Sequence, residues 1–183
     1  MRRIFYSFFA ALGLLTVLAL NPAYALPVPG DSEALISGGL SHTQGSSSGN
    51  FNFDLSYGYY LTPGWELGFR QALDYNFVDN GSDSWQATTT PFLQYNFRIT
   101  KIIVPYLGIQ GGIVWNDRDI TGTFGPNAGV KLFVADQTFV NIGYRYNWYF
   151  YSFESAKNNV THGNHIVNIG LGYAWGGSGD RKR

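Results

Sequence analysis

The sequence predicts an all-β protein: eight antiparallel strands closed as an up-and-down barrel that crosses a membrane. Three observations carry that expectation. Apolar and polar residues alternate with period two in eight separate segments, as side chains do on the two faces of a strand. The polar phase of each segment is rich in Gly, Ser and Asn rather than in surface charge. The connections alternate between short turns and longer polar stretches. Composition agrees: among 183 residues, aromatics reach 17% while charged residues are only 13%, against about 25% in ordinary soluble domains.

The chain opens with a secretory signal. Arg2 and Arg3 precede an apolar run from Ile4 to Leu20, Asn21 and Pro22 break it, and Ala23-Tyr24-Ala25 forms an A-x-A cleavage site. Residues 1–25 are therefore expected to be removed. The alternative for so long an apolar run is an uncleaved anchor. Too little of a twin-arginine motif follows Arg2-Arg3 to indicate that route. Loss of these two arginines leaves ten basic against twelve acidic residues, so the mature chain lacks the basic footprint of a nucleic-acid binder. Cys is absent, which excludes a disulfide framework, a thiolate metal site and a thiol nucleophile. No later segment approaches the roughly 20 apolar residues of a membrane helix.

The strands follow in order. After a short lead over 26–33, the first is ALISGGLSHT, with Ile36 and Leu40 against Ser37, Gly39 and Ser41. NFNFDLSYGYYL sets Phe51, Phe53, Leu55, Tyr57 and Tyr59 against Asn52, Asp54, Ser56 and Gly58. GWELGFRQAL opposes Trp65, Leu67 and Phe69 to Glu66, Gly68 and Arg70; TTPFLQYNF opposes Leu93, Tyr95 and Phe97 to Gln94 and Asn96. PYLGIQGGIVW carries Leu107, Ile109, Ile113 and Trp115 against Gly108, Gln110 and Gly112. FGPNAGVKLFV carries Ala128, Val130 and Leu132 against Asn127, Gly129 and Lys131. FVNIGYRYNWYFYSF, from Phe139 to Phe153, places Val140, Ile142, Tyr144, Tyr146, Trp148 and Phe150 opposite Asn141, Gly143, Arg145 and Asn147. HIVNIGLGYAW closes the barrel with Val167, Ile169, Leu171, Tyr173 and Trp175 against Asn168, Gly170, Gly172 and Ala174. The barrel is expected over 34–175, with a tail over 176–183.

Short turns at Thr62-Pro63-Gly64, Thr100-Lys101 and Ala135-Asp136 alternate with TQGSSSG, DYNFVDNGSDS, NDRDITGT and ESAKNNVTHGN. Turns on one side and loops on the other is the plan of an outer-membrane barrel, with both termini on the turn, periplasmic side. Volume decides which face is outside. Eight strands enclose just enough space for side chains to fill. The bulky apolar phase does not fit there, whereas Gly, Ser, Asn and single charges do. Trp65, Phe97, Trp115, Trp148 and Trp175 lie near strand ends, where aromatic girdles meet the interfaces.

VPYLGIQGGIVW, GPNAGVKLFV, VNIGYRYNW and VNIGLGYAW make the mature chain resemble the small OmpA-like and OmpX-like outer-membrane barrels over essentially its whole length. The resemblance implies residence in the outer membrane of a Gram-negative bacterium. It also implies monomeric contact with outer-membrane lipids and lipopolysaccharide, and recognition by the barrel-assembly machinery. Such barrels end on an aromatic residue, here matched by Trp175, although GGSGDRKR follows it. Unlike larger OmpA relatives, the chain is expected to lack a peptidoglycan-binding domain.

Three groups of residues are candidates for function. Asp54, Glu66, Arg70, Lys131 and Arg145 take the inward phase, as a charge network that plugs the lumen or as an ion path. Arg70 is expected beside Ser56 and within reach of Asp54, with Arg145 at that level and Glu66 and Lys131 nearer the turns. Ser152, Glu154, Ser155, His162 and His165 lie near the fourth loop, where some eight-stranded barrels carry lipid A deacylase or acyltransferase sites. The deacylase spacing of His and Ser two apart on one strand is missing. Asp74, Asp79, Asp83, Asp117 and Asp119, with Arg118, make the second and third loops acidic; they are surface solvation or a site for cations bridging lipid phosphates. The reading favoured is a non-enzymatic barrel without cofactor or bound metal, structural or surface-interacting, with its lumen plugged. The alternatives are a lipid A-modifying enzyme and a narrow channel or carrier for a small ligand.

Overall fold

The computed structural model describes residues 26–42, 49–77, 83–117, 120–150 and 163–176. Eight strands run in chain order: β1 (Asp31–His42), β2 (Gly49–Tyr60), β3 (Trp65–Phe77), β4 (Ser84–Asn96), β5 (Ile103–Trp115), β6 (Ile120–Phe133), β7 (Thr138–Phe150) and β8 (Gly163–Gly176). Each pairs antiparallel with its neighbour, and β1 pairs with β8 to close the barrel. Strands of 12 to 14 residues exceed the 9–11 needed to span a bilayer core. Among the described residues no helix is long and apolar enough to cross a membrane.

Side-chain volume and hydration set the faces. Val130, Ile142 and Ile169 sit side by side across β6, β7 and β8 on the outside, beside Leu171, which is 63% exposed. Lys131, one residue from Val130, is 1% exposed inside. An apolar exterior around a charged interior inverts the arrangement of a soluble barrel, because the solvent outside is lipid.

Two of the three short turns are tied by their own side chains. Thr62 Oγ1 accepts the Trp65 N–H (2.9 Å) between β2 and β3, and Thr100 Oγ1 accepts the Ile103 N–H (2.8 Å) between β4 and β5. Hydroxyls that capture nearby backbone N–H groups specify tight turns. Pro91 and Pro126 lie inside β4 and β6, where the ladder to the next strand skips them: pairing runs from Thr89 to Phe92 on β4, and from Phe124 to Asn127 on β6. A missing N–H costs a ladder bond on one side only.

Several strand ends differ from the sequence expectation. β1 begins at Asp31, three residues before the expected barrel start, because Asp31, Glu33 and Leu35 continue the inward phase of Ser37. β3 runs on to Phe77 and β4 begins at Ser84, so the second loop is shorter than DYNFVDNGSDS. β6 begins at Ile120, which moves Ile120 to Thr123 from loop to strand. β7 is described as far as Phe150, and the expected signal peptide, the tail after Gly176 and residues 151–153 lie outside the described residues.

Candidate functional site

The lumen is filled in layers. At the turn end, Lys131 reaches inward from β6 to Glu33 on β1, with Nζ 2.7 Å from both carboxylate oxygens, and to Glu66 Oε2 on β3 at 2.8 Å. The Tyr60 hydroxyl donates to Glu33 Oε2 (2.7 Å), and Lys131 Nζ donates to that hydroxyl (3.0 Å). Gln94 and Asn96 on β4 donate to Glu66 Oε2 at 2.9 and 3.0 Å. One ammonium thus answers two carboxylates, and amide donors supply the rest, as buried charge requires.

Aromatic rings seal around this ion cluster. Lys131 Nζ lies 5.4 Å from the Tyr60 ring centroid, 5.7 Å from that of Tyr106 and 5.3 Å from that of Phe139, in range for cation–π attraction. Phe139 is 0% exposed and joins Phe133, Leu35 and Val104 in the buried apolar cluster, against which Leu26 packs. Gly172 stands opposite Phe139 and Gly58 faces Glu66; a Cβ at either would overlap the facing side chain. Here glycine makes room for bulk across the bore.

The middle layer holds Asp54 and Arg145, which form two parallel hydrogen bonds of 2.7 Å across the lumen. Asn168 Nδ2 donates to Asp54 Oδ2 (2.8 Å), and Ser37 Oγ lies 3.4 Å from the same oxygen. Arg70 pairs in register with Ser56, but its guanidinium donates to Gln110 on β5 and lies over the Phe92 ring at 5.1 Å. Gln110 Nε2 in turn donates to Asn147 Oδ1 (2.6 Å). Arg70 is therefore directed to β5 and not to Asp54, whose two carboxylate oxygens are taken by the Arg145 guanidinium.

Toward the loop end the charges thin out. Asn52 Nδ2 donates to Asp74 Oδ1 (2.6 Å) and Asn50 Nδ2 to Asn76 Oδ1 (2.8 Å). Asp74 is a buried lumen residue of β3, which corrects its expected place in an acidic loop. Asp83 accepts a hydrogen bond from the Tyr75 hydroxyl (2.8 Å), and Asp117 is exposed. Among the described residues no group of three His, Cys, Asp or Glu side chains is placed to hold a metal. Asp79, Arg118 and Asp119 lie outside the described residues, as do Ser152, Glu154, Ser155 and His162. His165 lies on the outer wall, its Nδ1 2.7 Å from the Tyr144 hydroxyl and its ring against that of Tyr146.

Aromatics gather at both rims. Trp65, Tyr95 and Phe97 form an edge-to-face row at the turn end, with Tyr173, Trp175 and Tyr57 further round. Trp85 with Trp115 and Tyr146 with Trp148 stand at the loop end.

Sequence reasoning missed Glu33, Tyr60, Phe92, Tyr106, Phe133 and Phe139 as lumen residues. The signal was present: each lies an even number of positions from a recognised inward residue of its own strand.

The profile of the family described as "Outer membrane protein beta-barrel domain" matches residues 7–174. No curated protein matches the sequence. Among solved structures, a de novo designed transmembrane β-barrel superposes with TM-score 0.53 at 15% identity, covering 82% of this chain and 100% of the design. Neisserial surface protein A gives TM-score 0.53 at 18% identity, covering 78% of this chain and 94% of that one. The outer membrane protein Ail of Yersinia pestis gives 0.52 at 15% identity, covering 80% and 99%. At these identities the likeness is one of fold.

Proposed function

The chain belongs to the family of outer-membrane β-barrel domains, and on that premise we propose a non-enzymatic barrel whose lumen is closed by its own side chains. It resides in the outer membrane of a Gram-negative bacterium after export through a cleaved signal peptide. Its role there is structural or surface-interacting. Its immediate surroundings are outer-membrane lipid and lipopolysaccharide, and it acts as a monomer.

One observation carries the closed lumen. Lys131 spans the bore from β6 to Glu33 on β1 and Glu66 on β3, and the three side chains are 4% exposed or less. An ion path needs charged groups that water reaches. These groups are instead spent on one another and ringed by Tyr60, Tyr106 and Phe139. Purified protein in planar bilayers should show little or no conductance, and steady ion-selective currents would replace the plug with a channel. Lipid A from cells with and without the protein should give the same mass spectrum; a lost or gained acyl chain would make it an enzyme. With the turns in the periplasm, a Cys at Asp117 should label in intact cells and one at Pro63 should not.

A further inference from the structure

The loop-end half of the lumen holds a feature that the plug does not use. Among the upper ends of β1, β2, β3, β4 and β8 the described residues line a cavity of about 480 Å3, within the range of small-ligand pockets, about 300–1,000 Å3. It is blind. Two residues toward the turn end from Asn52 on β2, Asp54 is tied to Arg145 and Asn168, and the bore is filled.

On the β2, β3 and β4 side the wall is built from amides around one carboxylate, and His165, Ile166 and Val167 line it from β8. Asn52, Asp74 and Gln86 stand in register across β2, β3 and β4, with Asn50 and Asn76 one level above and Asn164 on β8. Asn52 is 5% exposed and lines the cavity, yet its Oδ1 has no hydrogen-bond partner among the described residues. A buried amide oxygen left without a donor is a cost that a ligand hydroxyl removes once the side chain turns its oxygen toward the cavity. The bowl is kept open on the β1 side by Gly39, where an added Cβ would meet only the Val167 carbonyl oxygen, at 3.4 Å.

The chemistry of the lining selects its occupant. Asp74 is the single carboxylate among the described lining residues, and the His165 ring is turned to Tyr144 and Tyr146 on the outer wall, so an anion meets the Asp74 charge and is repelled. One carboxylate supplies less negative charge than sites for divalent cations usually offer. An apolar ligand would bury the amides unpaired. Amide groups that both donate and accept match neutral hydroxyls, which do the same. We infer that this blind cavity binds the end group of a neutral saccharide. The inference goes beyond the closed-lumen reading, and conductance tests that reading while sugar binding tests this one, so either can fail alone.

The full barrel, refolded in a detergent without sugar headgroups, would be titrated calorimetrically with lactose, maltose and enzymatically dephosphorylated lipopolysaccharide core oligosaccharide. Saturable binding to at least one is expected, with the side-chain amide NMR signals of Asn50, Asn52 and Gln86 shifting together. Binding of the core oligosaccharide alone would point to the cell's own lipopolysaccharide. Binding of the disaccharides would point to glycans met from outside. Gly39→Phe should fill the bowl and abolish binding, and Asn52→Leu should weaken it about tenfold. Heat-dependent gel mobility shows which variants have folded, and Asn52→Leu serves if Gly39→Phe does not. No saturable binding of any of the three saccharides would overturn the inference. So would binding unaffected in the folded variants, or calcium chloride shifting those amide signals where the saccharides do not.

Discussion

The two ends of the lumen solve opposite problems on one scaffold. At the turn end, Lys131, Glu33, Glu66 and Phe139 are sealed from solvent, and Gly58 and Gly172 give up their side chains so that larger ones can cross. At the loop end, Asn50, Asn76 and Asn164 ring a cavity, and among the described residues no side chain fills the space that Gly39 leaves. Closing the bore takes paired charge and aromatic bulk, since a buried ion without its partner is costly. Keeping it open takes amides, which are satisfied by water, by each other or by a ligand. Glycine serves both ends, by making room for a neighbour in one and by leaving space in the other.

Substitutions at the two ends should therefore differ in size. The largest effect is expected for Lys131→Met, which leaves Glu33 and Glu66 buried without their cation. A loss of about 3–5 kcal/mol should appear in urea unfolding from lipid vesicles, with part recovered by adding Glu66→Gln. A loss no larger than that of a loop-end substitution would remove the distinction between the ends. Next comes the wall that both ends share. Ile142→Arg puts a charge against lipid, and unfolding should register about 2–4 kcal/mol if the site is near the midplane. A variant as stable as the parent would reverse the assignment of faces.

A matched pair sharpens the comparison further. Gly172→Ala drives a methyl group into the Phe139 ring, for an expected loss of about 1–3 kcal/mol. Gly39→Ala makes an ordinary contact with the Val167 carbonyl oxygen at 3.4 Å and should lie within about 0.5 kcal/mol of the parent in the same assay. Equal losses would mean that strand propensity, not the contact with Phe139, decides both. The smallest effect is expected at Asp74→Asn, whose amide oxygen still accepts from Asn52. A shift within about 0.5 kcal/mol is expected in the unfolding midpoint, and a larger one would show that the lumen depends on the Asp74 charge as it does on that of Glu66.

Much of this could be read along the chain, and the exceptions share a cause. Period two assigned Asp54, Glu66, Arg70, Lys131 and Arg145 to the inward phase, and the strand pairing puts Arg70 beside Ser56 as counting from the turn suggests. The partner of Arg70 was not legible, because Gln110 is 40 positions away on a strand that is not its neighbour. Glu33 was lost in the lead segment, where Asp31 and Glu33 look like ordinary polar residues before a strand. Asp74 looked like loop for the same reason, since a polar residue beside a polar loop carries no mark of burial. The aromatic seal escaped because aromatics dominate the lipid face, and Phe139 differs from Val140 only in phase.

By itself the sequence determined the number of strands, their alternation, which phase meets lipid and which ends carry turns. These follow from local geometry: side chains alternate on a strand, and short turns are written in residues next to one another. Only the tertiary structure decided which inward residues touch. Lys131 meets Glu33 and Glu66 from 98 and 65 positions away, and Arg145 meets Asp54 from 91. Those meetings depend on how far the strands stagger when the sheet closes. Stagger is a property of the whole ring, so no single strand encodes it, and with it came the sealed end, the open end and the cavity between the amides.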